Sequence, residues 1–405
     1  MKKKEEENVK KSLTAIFIAL FFMGVISVFP CTIFNALKKG RVLAGNNEDL
    51  NATDSRIWFF PPAEGKYGYV YVGSDSYGIQ GGMNDQGLFF DYNALKFSKM
   101  NPSPEKLPIK GWRWLINKIM SECATVEDVI SLLDKYNLGW WGSNQVMYAD
   151  ATGASAVIGA KKNGNLSIVR KKGDYQVSTN FSLANPEFGA STYPCSRYDI
   201  ANEMLENMEE LSVDYFEKIL AATHQEATYP TVYSNICDLT KKEIYVYNFH
   251  NFEEVVKLNL EEELKKGKHD YDFSSLFPRK THAQINFENT LKRKLAQILM
   301  DTIVKEGWDA AVVKFDEMKE SYSPIPGELD RLGVLLRIRG RTKERIKVYE
   351  LYTKEYPKIA YGHKRLGDLY FKFGKKEEAI RCYKTVLKLD PNNAEVIHIL
   401  KDLEK

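Results

Sequence analysis

The chain predicts an α+β architecture, a layered domain of strands and helices followed by an all-helical repeat domain, and three observations carry that reading. Its 405 residues exceed one ordinary domain, so two domains are the starting expectation. From Cys31 to about Leu260, short β-branched and aromatic runs are interspersed with stretches of helical spacing. Beyond a charged stretch, the pattern is helix only and repeats every 34 residues.

Residues 1–12, "MKKKEEENVKKS", are charged, and residues 13–29, "LTAIFIALFFMGVISVF", are almost wholly apolar. A positive segment before an apolar run reads as an export signal, so residues 1–30 are assigned as a pre-peptide. The run also has the length of an uncleaved anchor, since spanning a bilayer takes roughly 17–25 residues. The expected location is therefore extracellular or periplasmic, with membrane contact only through residues 13–29 if they are retained.

Residues 31–262 form the layered domain. "RVLAGN", "YGYVYVG", "QGLFFDY", "SAVIGA", "LSIVR", "YQVST" and "EIYVYNF" read as strands bounded by Gly, Asn, Asp and Lys. Lys110–Tyr136 and "SRYDIANEMLENM" carry apolar residues at helical spacing, with Thr125 placed to cap a helix at "VEDVISLL". Strands with helices inserted between them predict sheets covered by helices. Residues 263–286, charged and ending near "FPRKTHAQ", read as a linker.

Residues 287–405 are the repeat region. Gly333 and Gly367, Gly340 and Gly374, Tyr349 and Tyr383, and Pro357 and Pro391 are each 34 apart, and Phe315 precedes Tyr349 by the same step. "RLGDLYFKFGKKEEAIRCYKTVLKLDP" resembles a tetratricopeptide repeat. Such helix pairs bury their apolar face only by stacking on neighbours, and their concave face is expected to take a protein or peptide partner.

Composition narrows the function. With 57 basic and 54 acidic residues the net charge is +3, which offers no footprint for nucleic acid. Five scattered cysteines without a CxxC pair and six histidines without an HExxH motif predict neither a metal site nor a disulfide framework. No cofactor is expected.

Cys31 follows the apolar run at once. Removing residues 1–30 would leave a free α-amine beside its thiol, groups that titrate at about 8 and about 8.5 when unperturbed. One residue would then hold nucleophile and base together. Pro30 suits neither a lipoprotein signal nor ordinary signal cleavage, so a cut near Ser27 followed by trimming or self-cleavage is expected.

"CTIFNALKKGRVLAGNNED" resembles the opening of the choloylglycine hydrolase and penicillin V acylase group, cysteine members of the N-terminal nucleophile hydrolases. The resemblance implies a four-layer αββα sandwich and hydrolysis of a linear amide through an acyl-enzyme. It places Cys31 as nucleophile and Asp49 on the α-amine. Within "GGMNDQGLFFDYNAL" it places Asn93 at the oxyanion, within "VSTNF" Asn180 beside the N-terminal residue, and within "YPCSRYDIA" Arg197 as the active-site arginine. The bile-salt enzymes carry Arg-Asn-x-Asp where this chain has Asn46-Asn47-Glu48-Asp49.

Each residue also has a purely structural reading: a turn at "NNED", strand-end caps at Asn93 and Asn180, an ion pair from Arg197 to Asp199 or Glu203. Cys195, Cys123 and His224 are weaker candidates. "IWFFPP", "GWRWLINK" and Trp140-Trp141 are candidates to line an apolar acyl pocket. The expected ligand is a small amide with an apolar acyl group. Acyl transfer from the same site, and a membrane-tethered inactive scaffold that works through its repeats, are the alternatives.

Overall fold

In the computed structural model of the chain, the described residues are 31–403, apart from 76–77, 140, 187–193, 227–228, 293, 323–324 and 392. The apolar run and Trp140 lie outside them. Among the described residues no helix is long and apolar enough to cross a membrane. The chain divides into two compact units: one takes in the residues up to Gly73 and Ile79–Arg279, and the other Ser74–Gly78 and Lys280–Lys405.

The first unit holds two sheets. β1 (Thr32–Lys38) and β2 (Arg41–Asp49) form a hairpin closed by two residues, Lys39 at φ 50° and Gly40 at φ 77°. Positive φ at both positions matches the right-handed twist of the flanking strands, which is why a two-residue turn suffices. β10 (Tyr175–Ser178) flanks β1, and β11 (Thr231–Asp238), β12 (Glu243–Asn248) and β13 (Val256–Asn259) continue from β2, all antiparallel.

The second sheet runs in the order β14 (His269–Asp272), β3 (Ser55–Phe60), β4 (Tyr69–Ser74), β5 (Gly78–Asn84), β6 (Phe89–Lys99), β7 (Gly142–Ala149), β8 (Ser155–Ala160), β9 (Leu166–Arg170). Its last strand in sequence corrects the linker expected at 263–286. Residues 269–272 pair antiparallel with 56–59, and the His269 ring stacks on Phe59 at 4.7 Å. The charged composition there belongs to a sheet edge, where one side of each residue meets water.

Helices cover the outer faces. α1 (Trp112–Glu122) and α2 (Val126–Leu133) pack on the second sheet through Leu115, Ile116, Ile119 and Val129 against Phe90, Val146 and Tyr148. Thr125 caps α2 in a reciprocal box with Asp128. α3 (Ser196–Glu206) and α4 (Val213–Thr223) pack on the first sheet through Ala201, Leu205, Phe216 and Leu220 against Phe34, Leu43 and Ile236. The inner faces meet through polar pairs: Asn35 with Ser155 at 2.8 Å, Gln145 with the Thr179 carbonyl at 3.0 Å. The result is the expected αββα sandwich, with its polar groups concentrated between the sheets.

The turn between β5 and β6 ties this arrangement together. Asn84 Oδ1 accepts from the Gln86 and Leu88 amides, and its Nδ2 donates to the Met120 and Cys123 carbonyls at the end of α1. Gly87 closes the turn at φ 83°, and a Cβ there would stand 2.3 Å from the Leu239 carbonyl oxygen. Gly87→Ala therefore meets both a disfavoured backbone conformation and a backbone atom that cannot yield. A loss of roughly 1–3 kcal/mol is expected, read as a lower urea midpoint; an unchanged midpoint would show that the turn relaxes freely.

In the first unit α5 (Leu260–Lys265) precedes β14, and from α6 (His282–Lys292) onward the described elements of the second unit are all helical. α7 (Leu295–Lys305) packs on α8 (Trp308–Met318), α9 (Ile325–Ile338) on α10 (Thr342–Glu355), and α11 (Ala360–Lys372) on α12 (Lys376–Leu389), before α13 (Ala394–Leu403). The repeated Gly–Tyr spacing has a steric cause. A Cβ at Gly333 would lie 2.7 Å from the Tyr349 ring, and one at Gly367 2.9 Å from the Tyr383 ring. Glycine at both positions lets the partner tyrosine bury against bare backbone.

Candidate active site

Register alone brings three of the five candidate residues, Cys31, Asp49 and Asn180, to one end of the first sheet. Ile33 pairs with Ser178 and Thr32 with Asn47, so Cys31, just before β1, lies across from Asn180 on one side and Glu48 on the other. Asp49 ends β2. Arg197, on the first turn of α3, reaches over the same edge, and Asn93 of β6 faces it from the second sheet. All five are at least nine-tenths buried.

The contacts converge on the Cys31 backbone. Its nitrogen donates to Asn180 Oδ1 at 2.8 Å. Its carbonyl accepts from Asn93 Nδ2 at 3.1 Å and from Arg197 Nη1 at 2.8 Å. Arg197 also donates to Thr32 Oγ1 and Asn180 Oδ1, at 2.9 and 3.1 Å. Asn93 Oδ1 accepts from Ser178 Oγ at 2.5 Å, and Asn180 Nδ2 donates to the Ala94 carbonyl.

The contacts add three details. The peptide N–H of Cys31 donates to Asn180, whereas Asp49, expected on the α-amine that a freed Cys31 would carry, accepts from Thr231 through Oδ1, and its Oδ2 lies 4.0 Å from Arg197 Nη1. Asn93, expected at the oxyanion, donates an N–H to the carbonyl of Cys31 itself. Arg197 pairs with neither Asp199 nor Glu203 in the contacts above. Its fork serves the Cys31 carbonyl, Thr32 Oγ1 and Asn180 Oδ1, and the carboxylate beside it is Asp49 at 4.0 Å.

The thiol is not poised near neutral pH. Burial pushes Cys31 well above its ordinary value, and the charges of Glu48, Asp49 and Asp91 push it further; the Asp49 amide hydrogen bond opposes them. Burial likewise raises Asp49, against the pull of Arg197 and Thr231, and raises Asp91. Glu48 is pushed up to about 7 by burial.

Glu48 and Asp91 were not singled out in the sequence. Glu48 Oε1 lies 3.5 Å from Cys31 Sγ and Oε2 accepts from Asn46 Nδ2 at 3.4 Å. Strand parity was the available signal: in a strand, alternate residues share a face, so Asn46 and Glu48 point together. The weaker candidates fall elsewhere. Cys123 packs in the core under α1, its thiol raised to about 12 by burial. His224 ends α4, held by the Ala221 carbonyl and Glu226. Cys195 stands just before α3 without a capping side-chain hydrogen bond, and its sulfur accepts from Thr179 Oγ1 at 3.5 Å. Trp141 is core, edge-on to Trp112 at 5.6 Å. Among the described residues no group of three His, Cys, Asp or Glu side chains is arranged to hold a metal ion.

Residues 36–262 match the family model described as acyl-coenzyme A:6-aminopenicillanic acid acyl-transferase, and residues 360–393 match the tetratricopeptide repeat. Among solved structures, the chain is similar to a variant of conjugated bile acid hydrolase from Clostridium perfringens. The two share 17% identity with a TM-score of 0.48, over 62% of this chain and 99% of that one. It is also similar to penicillin V acylase from Agrobacterium tumefaciens, at 14% identity and a TM-score of 0.41, over 60% and 91%. No curated protein matches the chain.

Proposed function

Since the chain belongs to the acyl-coenzyme A:6-aminopenicillanic acid acyl-transferase family, we propose that it is an amidohydrolase that opens a linear amide through Cys31. The observation that carries this reading is the convergence of Asn180, Asn93 and Arg197 on the Cys31 backbone, which leaves Sγ at a buried sheet end as the one strong nucleophile of the cluster. Export by residues 13–29 and removal of residues 1–30 complete the proposal, because only a freed Cys31 carries an α-amine.

The chemistry follows from those groups. The α-amine of a freed Cys31 takes the thiol proton, and Sγ attacks the amide carbon. The carbonyl π electrons move to oxygen, where an Asn93 N–H meets that charge; one such donor is worth on the order of 3 kcal/mol. Collapse breaks the C–N bond, the ammonium proton passes to the departing amine, and a thioester remains. Water then attacks the thioester, the acid leaves, and the thiol regains its proton. Arg197 and Asn180 hold the Cys31 backbone still while the charge moves.

The family description itself favours a second reading, in which an amine rather than water intercepts the thioester. Supplying amine acceptors during turnover and identifying the products separates the two: only free acid supports hydrolysis, and new amides support transfer. Absence of both, across a panel of bile-salt-type, penicillin-type and simple fatty amides, with N-terminal sequencing showing Met1, would instead favour a tethered scaffold. The helical repeats are proposed to bind a protein or peptide partner.

A further inference from the structure

We propose that Glu48 is a further residue of the reaction, a carboxyl that accepts the hydrogen bond of the Cys31 thiol, aims Sγ and governs how readily that thiol loses its proton. This role rests on Cys31 being the nucleophile, and no part of the chemistry above uses it.

Geometry sets Glu48 on the nucleophile. Asn47 Nδ2 reaches outward to the Leu220 carbonyl of α4 at 2.9 Å, so its neighbours Asn46 and Glu48 face the second sheet. There Glu48 Oε1 meets Sγ at 3.5 Å, within reach for a sulfur donor. Asp91 approaches from the opposite side. Its register partner Met147 lies 3.2 Å from Asn35 Nδ2 of β1, so that face of β6 looks at the first sheet. Both Asp91 oxygens, Asp49 Oδ2 and the Tyr233 hydroxyl lack hydrogen-bond partners. Tyr92 and Tyr233 also feel the Glu48 charge. The Arg197 fork is taken up by the Cys31 carbonyl, Thr32 and Asn180, with Asp49 at 4.0 Å.

The sign follows directly. A carboxylate that accepts the S–H bond stabilises the neutral thiol and repels the thiolate, so both effects hold the proton on sulfur. Burial lifts Glu48 to about 7, which brings its own titration into the working range. Below that pH Glu48 is neutral and the thiolate meets one charge fewer. Above it, the new charge opposes thiol ionisation just as rising pH favours it. The thiol therefore stays neutral and oriented until the base within its own residue removes the proton. The bile-salt enzymes carry an arginine two residues earlier, where this chain has Asn46, and Asn46 is the residue that donates to Glu48.

The test is the pH dependence of iodoacetamide alkylation at Cys31 in the full chain, read on the Cys31 peptide by mass spectrometry, with Cys31→Ala as blank. In Glu48→Gln the shape is kept and the charge removed. Alkylation at pH 8 should rise about tenfold, as one pKa unit implies, and the inflection near pH 7 should vanish. Glu48→Asp withdraws the charge by one methylene; it should shift the profile the same way by less, and keeps the test open if the glutamine variant does not fold. A profile identical to the parent, or slower alkylation, overturns the role. Neither result touches the nucleophile assignment, which stands or falls on amide turnover by Cys31→Ala.

Discussion

Amide turnover in Cys31→Ala should fall by roughly 10⁴–10⁶-fold, the scale on which deleting a covalent nucleophile acts. The drop should appear in kcat rather than in substrate affinity, because the side chain forms its decisive bond only during the reaction. Folding should survive. The substitution removes one buried sulfur and one S–H bond to Glu48, while the hydrogen bonds of Asn180, Asn93 and Arg197 go to backbone atoms that alanine retains. A stability change of about 1 kcal/mol is expected, the ordinary size for such a truncation. Rates of amine release and urea melts of both proteins decide the matter. Turnover within tenfold of the parent would falsify the assignment of Cys31.

Arg197→Met should be the most destabilising single change in the site. The guanidinium is 7% exposed and donates to the Cys31 carbonyl, Thr32 Oγ1 and Asn180 Oδ1. Methionine fills similar space and supplies no donor, leaving three buried acceptors without that partner and Asp49 without its cation. Breaking a buried pair in this way costs about 3–5 kcal/mol. Lysine keeps the charge but loses the fork, so Arg197→Lys should recover only part. The loss should also grow with pH. Burial already raises the Asp49 carboxyl, and Arg197 opposes that rise. Without the cation the folded-state value climbs further above the unfolded one. A group raised in this way keeps its contribution below the unfolded value and loses it as pH rises through the folded one. Urea midpoints at pH 5 and pH 8 should therefore differ more in the variant than in the parent. A loss under 1 kcal/mol at both would mean that the fork holds nothing in place.

Several elements could be read from the chain because their signals are local. The repeat region announced itself through glycines and tyrosines 34 residues apart, each a steric demand between one helix and the next. Thr125 and Asp128 are a four-residue cap, visible wherever they occur. β7 and β11 were missed for the opposite reason. "GSNQVMYA" and "TVYSNICD" carry Asn144, Gln145, Ser234 and Asn235, polar residues that look like loop until a second sheet or a covering helix is laid against them. Gln145 then donates to Ser178 Oγ and to the Thr179 and Phe181 carbonyls, and Ser234 to Asn47. Polar groups buried with partners break the alternation on which strand reading depends. The stretch 263–286 misled in a related way, since charge at a sheet edge resembles charge in a linker.

The same division runs through the site. Sequence determined which residues stand there, because Cys31, Asp49, Asn93, Asn180 and Arg197 lie in short motifs whose neighbours can be quoted. Tertiary structure decided who bonds to whom: Asn180 on the Cys31 peptide nitrogen, Arg197 on its carbonyl, Glu48 on its sulfur. Motifs are short stretches of covalent neighbours, whereas the partners of Cys31 come from 17 to 166 residues away. Their pairing is settled only when register and sheet-on-sheet packing place donors against acceptors where water cannot compete.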